Sequence, residues 1–599
     1  MNRLRKSSAA SVLAIVLTLA VSMARATVDY TIKPVRDARQ YEVTVSPDHV
    51  NGSVVRFQIP VWSPGAYIVA NFASNIADVS ATVDEKPGTV THPDPQTWEV
   101  DAHGGKSVAL RYVVNNADVE WRDGRLKRTH ISGPRTYMYV VGRKQEPVRI
   151  AVLRPAADLP IICNLDAGSK RKDAAEADYV AKSYDVMADA PVEMGDFADD
   201  VFQVHGIDHH VVLYGNYASA DRAKLKEYCR RVAETEEAFF GDIPFHRYVF
   251  FFRSAGANQD GAGGLEHLGA TEIGMRGVVG DRLRSVIAHE FFHLWNVKRI
   301  RPFVLGPFDY VNPPHTSNLW WSEGVTSYYG DLLSRRAGIN TDQEYLKHLA
   351  DTITLLQNNA SRLKVTADES SYKVWDRGGS QGFGGLSYYT KGELIGLCLD
   401  MRIRHETGNR RSLDDVIRAL YIQCGRGNGP GFSEDDIQKT VNKVAGKDLS
   451  SFYGQLARST EEMPFTECLG YAGLKLRQAT DAEVSPDTGM VARADNERKA
   501  YRVRVVIPGG PAEGAGIRDD DVIMAIDGAP VGLAARPFGD ARPGDHHKLT
   551  LDRGGSRVEV EFTVGASKRR PWIVEQDAAA TPEQMQLRAS WLNGRAAGS

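Results

Sequence analysis

Three kinds of hydrophobic patterning divide the chain. Over residues 27–198 apolar positions alternate with polar ones, as in Gln40-Tyr41-Glu42-Val43-Thr44-Val45, Ser53–Ile59, Val108–Val114 and Val148–Val152. A period of two puts one face of each strand on a core. Turn signals such as Ser63-Pro64-Gly65 and His103-Gly104-Gly105 separate the runs, so this region reads as an N-terminal antiparallel β-sandwich. Over 199–463 the pattern becomes strand, helix, strand (His209–Tyr214, 220–240, Tyr248–Phe252) and then mostly helical, with helical spacing in Gln343–Gln357 and Leu413–Gln423. A smaller module spans 464–566, and a tail with short alanine runs spans 567–599.

The stretch Ser285–Asn296 carries candidate chemistry. Apolar residues recur at Leu283, Ile287, Phe291 and Leu294, and no Gly or Pro interrupts Asp281–Arg301, which predicts an amphipathic helix. At about 100° per residue, His289 and His293 leave the helix on one face, about 200° round from Ile287 and Phe291. Two imidazoles one turn apart suit Zn²⁺, and Glu290 beside them is placed to act on metal-bound water. The bland alternative is a half-buried helix whose histidines only hydrogen-bond.

A third ligand is expected from a second helix. Leu319-Trp320-Trp321-Ser322-Glu323-Gly324 follows, with Thr316 or Ser317 available as a cap. A carboxylate among that much aromatic surface is costly to bury unless paired or metal-bound. Glu323 is therefore the expected third ligand, leaving a fourth position for water; its alternative is an ion pair with Arg299 or Arg301.

The His289/His293 pair followed by Trp-Trp-Ser-Glu-Gly resembles the gluzincin metallopeptidases. The runs Asn296–Pro302 and Pro307-Phe308-Asp309-Tyr310, with Ile59–Tyr67 further upstream, look more specifically like the glycyl aminopeptidase family that carries a C-terminal PDZ domain. This resemblance implies a multidomain α+β chain: a β-sandwich, a thermolysin-like catalytic domain of mixed α/β and helical parts, and a PDZ domain. Gly261–His267 resembles the Gly-Ala-Met-Glu-Asn strand of related zinc aminopeptidases. That likeness implies substrate lying along Gly263 and Gly264 and Glu266 binding the substrate's α-amine; Leu265 and His267 depart from the Met and Asn of the pattern. Tyr388-Tyr389-Thr390-Lys391-Gly392 resembles their Tyr-x-Lys-Gly stretch, whose Tyr steadies the tetrahedral intermediate. Tyr389 matches, with Tyr388 leaving the register open. Val505–Ile517 and Asp521–Gly528 look like a PDZ core, with Gly473–Leu476 as the strand to which a peptide would add.

Composition changes the picture in a few places. Arg3, Arg5 and Lys6 precede the apolar run Val12–Val21, and Ala24-Arg25-Ala26 offers a cleavage site, so 1–26 reads as a signal peptide. The apolar run is short of the ~20 residues needed to span a bilayer. Cleavage would remove four positive charges (Arg3, Arg5, Lys6, Arg25) and take the formal net charge from −3 to −7. An exported, periplasmic or secreted protein is expected, without membrane insertion. The mildly acidic balance with no basic block argues against nucleic acid as a partner. Five scattered Cys (163, 229, 398, 424, 468) do not read as a disulfide framework. The His209-His210 pair, at a strand start without ligand spacing, reads as structural.

The resulting expectation is an aminopeptidase with one Zn²⁺ per chain. His289, His293 and Glu323 hold the metal, Glu290 moves the proton, Tyr389 meets the oxyanion and Glu266 anchors the free N-terminus of a peptide. The family resemblance implies removal of N-terminal Gly or Ala, and a peptide ligand for the PDZ module. The rivals are an endopeptidase using the same metal site and a non-catalytic peptide-binding or chaperone protein.

Overall fold

The computed structural model describes residues 28–594, apart from 51, 170–172, 216, 218–220, 255–260, 277–280, 378–381, 428, 481–482, 496, 533–536 and 568–569. The expected signal peptide 1–26 lies outside these residues. No described helix is long and apolar enough to cross a membrane. The chain forms two compact units, one of 1–59, 75–161 and 165–188, the other of 60–74, 162–164 and 189–599.

The first unit is built from β-sheets. An eight-stranded sheet contains Val28–Pro34, Tyr41–Pro47, Val108–Val114 and Ile76–Val83, and a four-stranded sheet contains Val54–Gln58 and Thr97–Asp101. Period-two burial is visible directly: in Tyr41–Pro47 every second residue is buried. The pairing is not wholly antiparallel, as expected from sequence, because Val28–Pro34 runs parallel to Val148–Leu153. These two strands are far apart in the chain, so no hairpin turn dictates their relative direction.

The second unit opens on a mixed five-stranded sheet, in the order Ala198–Val204, Ile207–Gly215, Arg247–Ser254, Ala270–Arg276 and Gly261–Glu266. Ile207–Gly215, Arg247–Ser254 and Ala270–Arg276 run parallel. The crossover after Ile207–Gly215 is the helix Arg222–Phe240, started by the Asp221 side chain accepting from Lys224 N–H and stopped by Gly241 in a left-handed conformation. Tyr248–Phe252 is buried at every position, as a central strand covered on both faces must be. Gly261–Glu266 is the antiparallel edge strand. The helices Asp281–Phe292, Thr326–Arg336, Asp342–Gln357 and Tyr388–Glu406 share one hydrophobic core with this sheet. Trp62 and Tyr67, from the inserted stretch 60–74, belong to that core too.

The PDZ-type sheet (Met490–Asp495, Ala500–Val506, Val522–Ile526, His546–Arg553, Ser556–Thr563) has its own core around Val503, Ile523, Leu549 and Phe562. Leu474–Gln478 does not join it. That strand pairs antiparallel with Trp572–Gln576 instead, so the expected peptide-adding strand is already taken by the chain's own tail. The tail then forms the helix Pro582–Asn593, whose Trp591 is fully buried and donates to the Tyr328 hydroxyl at 2.9 Å. All five cysteines are buried thiols outside any disulfide. His209 and His210 pair with Glu237 and Asp199.

Candidate active site

The metal helix differs from its sequence reading in extent. It runs Asp281–Phe292, and the chain from His293 to Ile300 continues in irregular turns of mixed width. His293 N–H still reaches His289 C=O at 3.3 Å, so the two imidazoles remain one turn apart. The departure has a use. By leaving the helix, Asn296 turns its carbonyl onto His293 Nδ1 at 2.7 Å, and its amide donates to Trp321 C=O and Thr326 Oγ1, both at 3.0 Å.

Glu323 is carried not by an ordinary helix but by the π-helical turn Trp320–Val325, which runs straight into Thr326–Arg336. Such wide turns concentrate where a side chain must be aimed out of helical register. No side chain caps the turn; Thr316 Oγ1 instead accepts from Asn318 N–H at 3.2 Å. Gly324 is required because a Cβ there would overlap the backbone of Gly392, on the facing helix Tyr388–Glu406. The two glycines of the Trp-x-x-Glu-Gly and Tyr-x-Lys-Gly runs therefore touch each other.

Three donor atoms converge. Glu323 Oε2 lies 3.5 Å from His289 Nε2 and 3.2 Å from His293 Nε2, and the two nitrogens are 2.9 Å apart. Glu323 is paired with neither Arg299 nor Arg301; Arg299 donates to backbone carbonyls. The proton positions follow from the partners. His293 Nδ1 faces a carbonyl, which only accepts. Ser327 Oγ gives its proton to Glu323 C=O at 3.1 Å and so accepts from His289 Nδ1 at 3.2 Å. With both Nδ1 atoms so engaged, both Nε2 atoms are turned toward each other and toward a carboxylate, an arrangement that a divalent cation between them would satisfy. Tetrahedral zinc with bonds of about 2.0–2.2 Å separates its ligands by about 3.4 Å, so the donor set fits. The charges point the same way. Burial pushes His293 down, but the Glu323 and Glu266 carboxylates outweigh it and raise its pKa to about 10. Burial also opposes ionisation of Glu323, yet the two imidazoles hold it well below the usual carboxylate range.

Glu290 offers a carboxylate oxygen within 4.8 Å of a His293 ring nitrogen, and its Oε2 is buried without a hydrogen-bond partner. Burial raises its pKa to about 8, His293 opposes this, and Glu266 and Glu323 add to it. Gly264, on the edge strand, has no room for a side chain because a Cβ would overlap the Glu290 carboxyl. Gly263 and Gly264 are exposed, whereas Glu266 is buried with an oxygen within 4.8 Å of ligand atoms of both Glu290 and His293. His267, which departs from the Asn of related strands, sits between Asp189 at 3.3 Å and Glu272 at 3.1 Å, with Lys298 on Asp189 at 2.8 Å. Burial lowers its pKa, but the hydrogen-bonded carboxylates raise it to about 9.

Of the two candidate tyrosines, Tyr388 is fully buried, while Tyr389 is partly open and its ring lies 6.1 Å from that of His289. The structure adds two residues that the pattern of the chain had left in a supporting domain. Gly65 (φ +88°) lies so close to Glu266 that a Cβ would sit 2.6 Å from its carboxylate. Tyr67 is buried beside Tyr388 and Trp375, and its phenol is kept neutral by burial and then by the charges of Glu323 and Glu266. Their only sequence signal was the run Ile59–Tyr67, an aromatic stretch amid turn residues.

The M61 glycyl aminopeptidase family matches residues 282–395, the M61 N-terminal domain residues 29–196, and a PDZ domain residues 475–564. The crystal structure of an aminopeptidase N family protein from Idiomarina loihiensis shares the fold, with a TM-score of 0.74, 23% identity, and coverage of 94% of this chain and 100% of that one. Remoter likenesses are an M1 zinc metallopeptidase from Deinococcus radiodurans (TM-score 0.46, 12% identity, 73% and 94% covered) and Legionella pneumophila aminopeptidase A (0.44, 12%, 93% and 57%). No curated protein sequence matches. In order along the chain, segments match the M61 N-terminal domain, the M61 glycyl aminopeptidase family and a PDZ domain, and the enzyme they describe is a zinc metallopeptidase.

Proposed function

We propose that the protein removes small N-terminal residues, Gly or Ala, from peptides, and that His289, His293 and Glu323 hold one Zn²⁺ per chain. One observation carries the exopeptidase reading: a buried carboxylate, Glu266, ends the edge strand within one residue's reach of Glu290 and His293. A peptide added along Gly263-Gly264 meets that carboxylate with its ammonium and has nowhere further to go. Gly65 and Tyr67 crowd the same end, which favours a first residue with little or no side chain.

Zinc in this donor set supplies Lewis acidity, polarising the scissile carbonyl and acidifying water. Glu290, its raised pKa matched to proton transfer near neutrality, accepts the water's proton and delivers it to the leaving amine. Tyr389 donates its phenolic proton to the oxyanion without adding charge. Asn296 and Ser327 hold the imidazoles in the required tautomers.

The test is a panel of aminoacyl arylamides with metal analysis, run beside peptides with free and acetylated N-termini. Gly and Ala substrates with free amines should be cleaved and acetylated ones spared. Equal cleavage of both would reject the exopeptidase reading in favour of an endopeptidase. We also propose export, from the expected signal peptide, and a peptide ligand for the PDZ module. The unpaired edge of Met490–Asp495 beside a groove of about 570 Å³ lined by Tyr501, Pro537 and Phe538 supports the latter.

A further inference from the structure

A second convergence of ligand atoms includes Asp331, about two helical turns beyond Glu323 along the same helical run. Asp331, on the helix that continues from Glu323, and Glu393, on the helix that starts at Tyr388, both address His348 Nε2, at 2.9 and 3.0 Å. Thr352, one turn after His348 on Asp342–Gln357, places its Oγ1 3.3 Å from Glu393 Oε1 and 3.5 Å from the same nitrogen. Asp331 is tied to Ser285, one turn before His289.

An ion pair alone explains this poorly. One N–H carries one hydrogen, yet two carboxylate oxygens from different helices approach the same nitrogen within 0.1 Å of equal distance. Both carboxylates are buried, and one imidazolium leaves a net negative charge in the cluster. Neighbouring cations are engaged elsewhere: Arg335 with Asp342, Arg336 with Asp414, Lys347 with Asp351. The Tyr345 hydroxyl, buried and without a hydrogen-bond partner, faces the same two carboxylates, whose charges after burial itself oppose its ionisation most. The donor separations match those of the zinc set, 2.9–3.5 Å.

We propose that Asp331, His348, Glu393 and Thr352 form a second divalent-cation site, one imidazole and three oxygens, of the kind that takes Zn²⁺ or Mn²⁺. With His348 partly exposed, water completes the coordination. Such a cation pins together Thr326–Arg336, which continues from the turn of Glu323, Tyr388–Glu406, which carries Tyr389, and Asp342–Gln357, so it organises the catalytic site without touching substrate.

Chelator-stripped full-length protein, titrated with Zn²⁺ in weak buffer near neutral pH, should bind two equivalents. The weaker should raise Tm. Glu393→Gln and Thr352→Val, both near-isosteric, and His348→Ala should weaken or abolish that equivalent and keep the tight one; His289→Ala should do the reverse. A single equivalent in the wild type, or a weaker one untouched in Glu393→Gln and Thr352→Val with their folds verified by circular dichroism, would overturn the proposal.

Discussion

At the residue scale, the two imidazoles of the site are each oriented by a neighbour that does no chemistry. His293 is set by a carbonyl exposed where the helix ends, His289 by a serine whose own proton is already committed. Glu290 lacks a partner for one oxygen, as a group that must exchange a proton requires. Glu290→Gln should retain zinc while kcat falls about 10²–10⁴-fold; unchanged turnover with metal bound would remove Glu290 from the reaction. Gly65→Ala tests the crowding around the amine site. Its φ of +88° and the 2.6 Å approach to Glu266 both disfavour a side chain, at a cost of about 1–3 kcal/mol. The expected outcome is lower kcat/KM on free-amine substrates at unaltered zinc stoichiometry.

At the element scale, the π-turn of Glu323 and the helix of Tyr389 are held in register by backbone contact between Gly324 and Gly392. Gly324→Ala should force them apart, weakening zinc binding by equilibrium dialysis and lowering stability by about 1–3 kcal/mol. The edge strand has its own anchor in the buried group Asp189, His267, Glu272 and Lys298. With its folded pKa raised to about 9, above the ordinary value of about 6.5, His267 contributes stability that is complete below about pH 6.5 and lost as pH rises through about 9. The contribution is on the order of 3 kcal/mol. Urea unfolding across that window should show the slope in the wild type and a flattened one in His267→Asn.

At the scale of the whole molecule, the PDZ module is joined to the catalytic helices by a clasp. Its entry strand Leu474–Gln478 and exit strand Trp572–Gln576 pair with each other, and Trp572 N–H donates to Thr354 Oγ1 on the helix Asp342–Gln357 at 2.7 Å. The tail closes this arrangement through Trp591, which is fully buried and bonded to Tyr328, one turn from Gly324. Trp591→Ala should cost about 3–5 kcal/mol by chemical denaturation, far more than a loose tail would. A cost near zero would show the tail dispensable.

Periodicity and spacing were enough to read the β-rich and the mostly helical parts, the two-histidine helix and its distant glutamate, whereas the PDZ module was read through likeness. Those signals are local: alternation reports one buried face, and four residues report one helical turn. The chain also named the carboxylate Glu266 and the tyrosine pair, but only through likeness to relatives. Only the tertiary structure decided which partners set the tautomers, why Gly324 and Gly392 are glycines, that Gly65 and Tyr67 join the catalytic unit, that the tail occupies the strand beside the PDZ module, and that Asp331, His348 and Glu393 converge. Each of these rests on contacts between residues far apart in sequence, where burial and the balance of charges, not local propensity, determine the outcome.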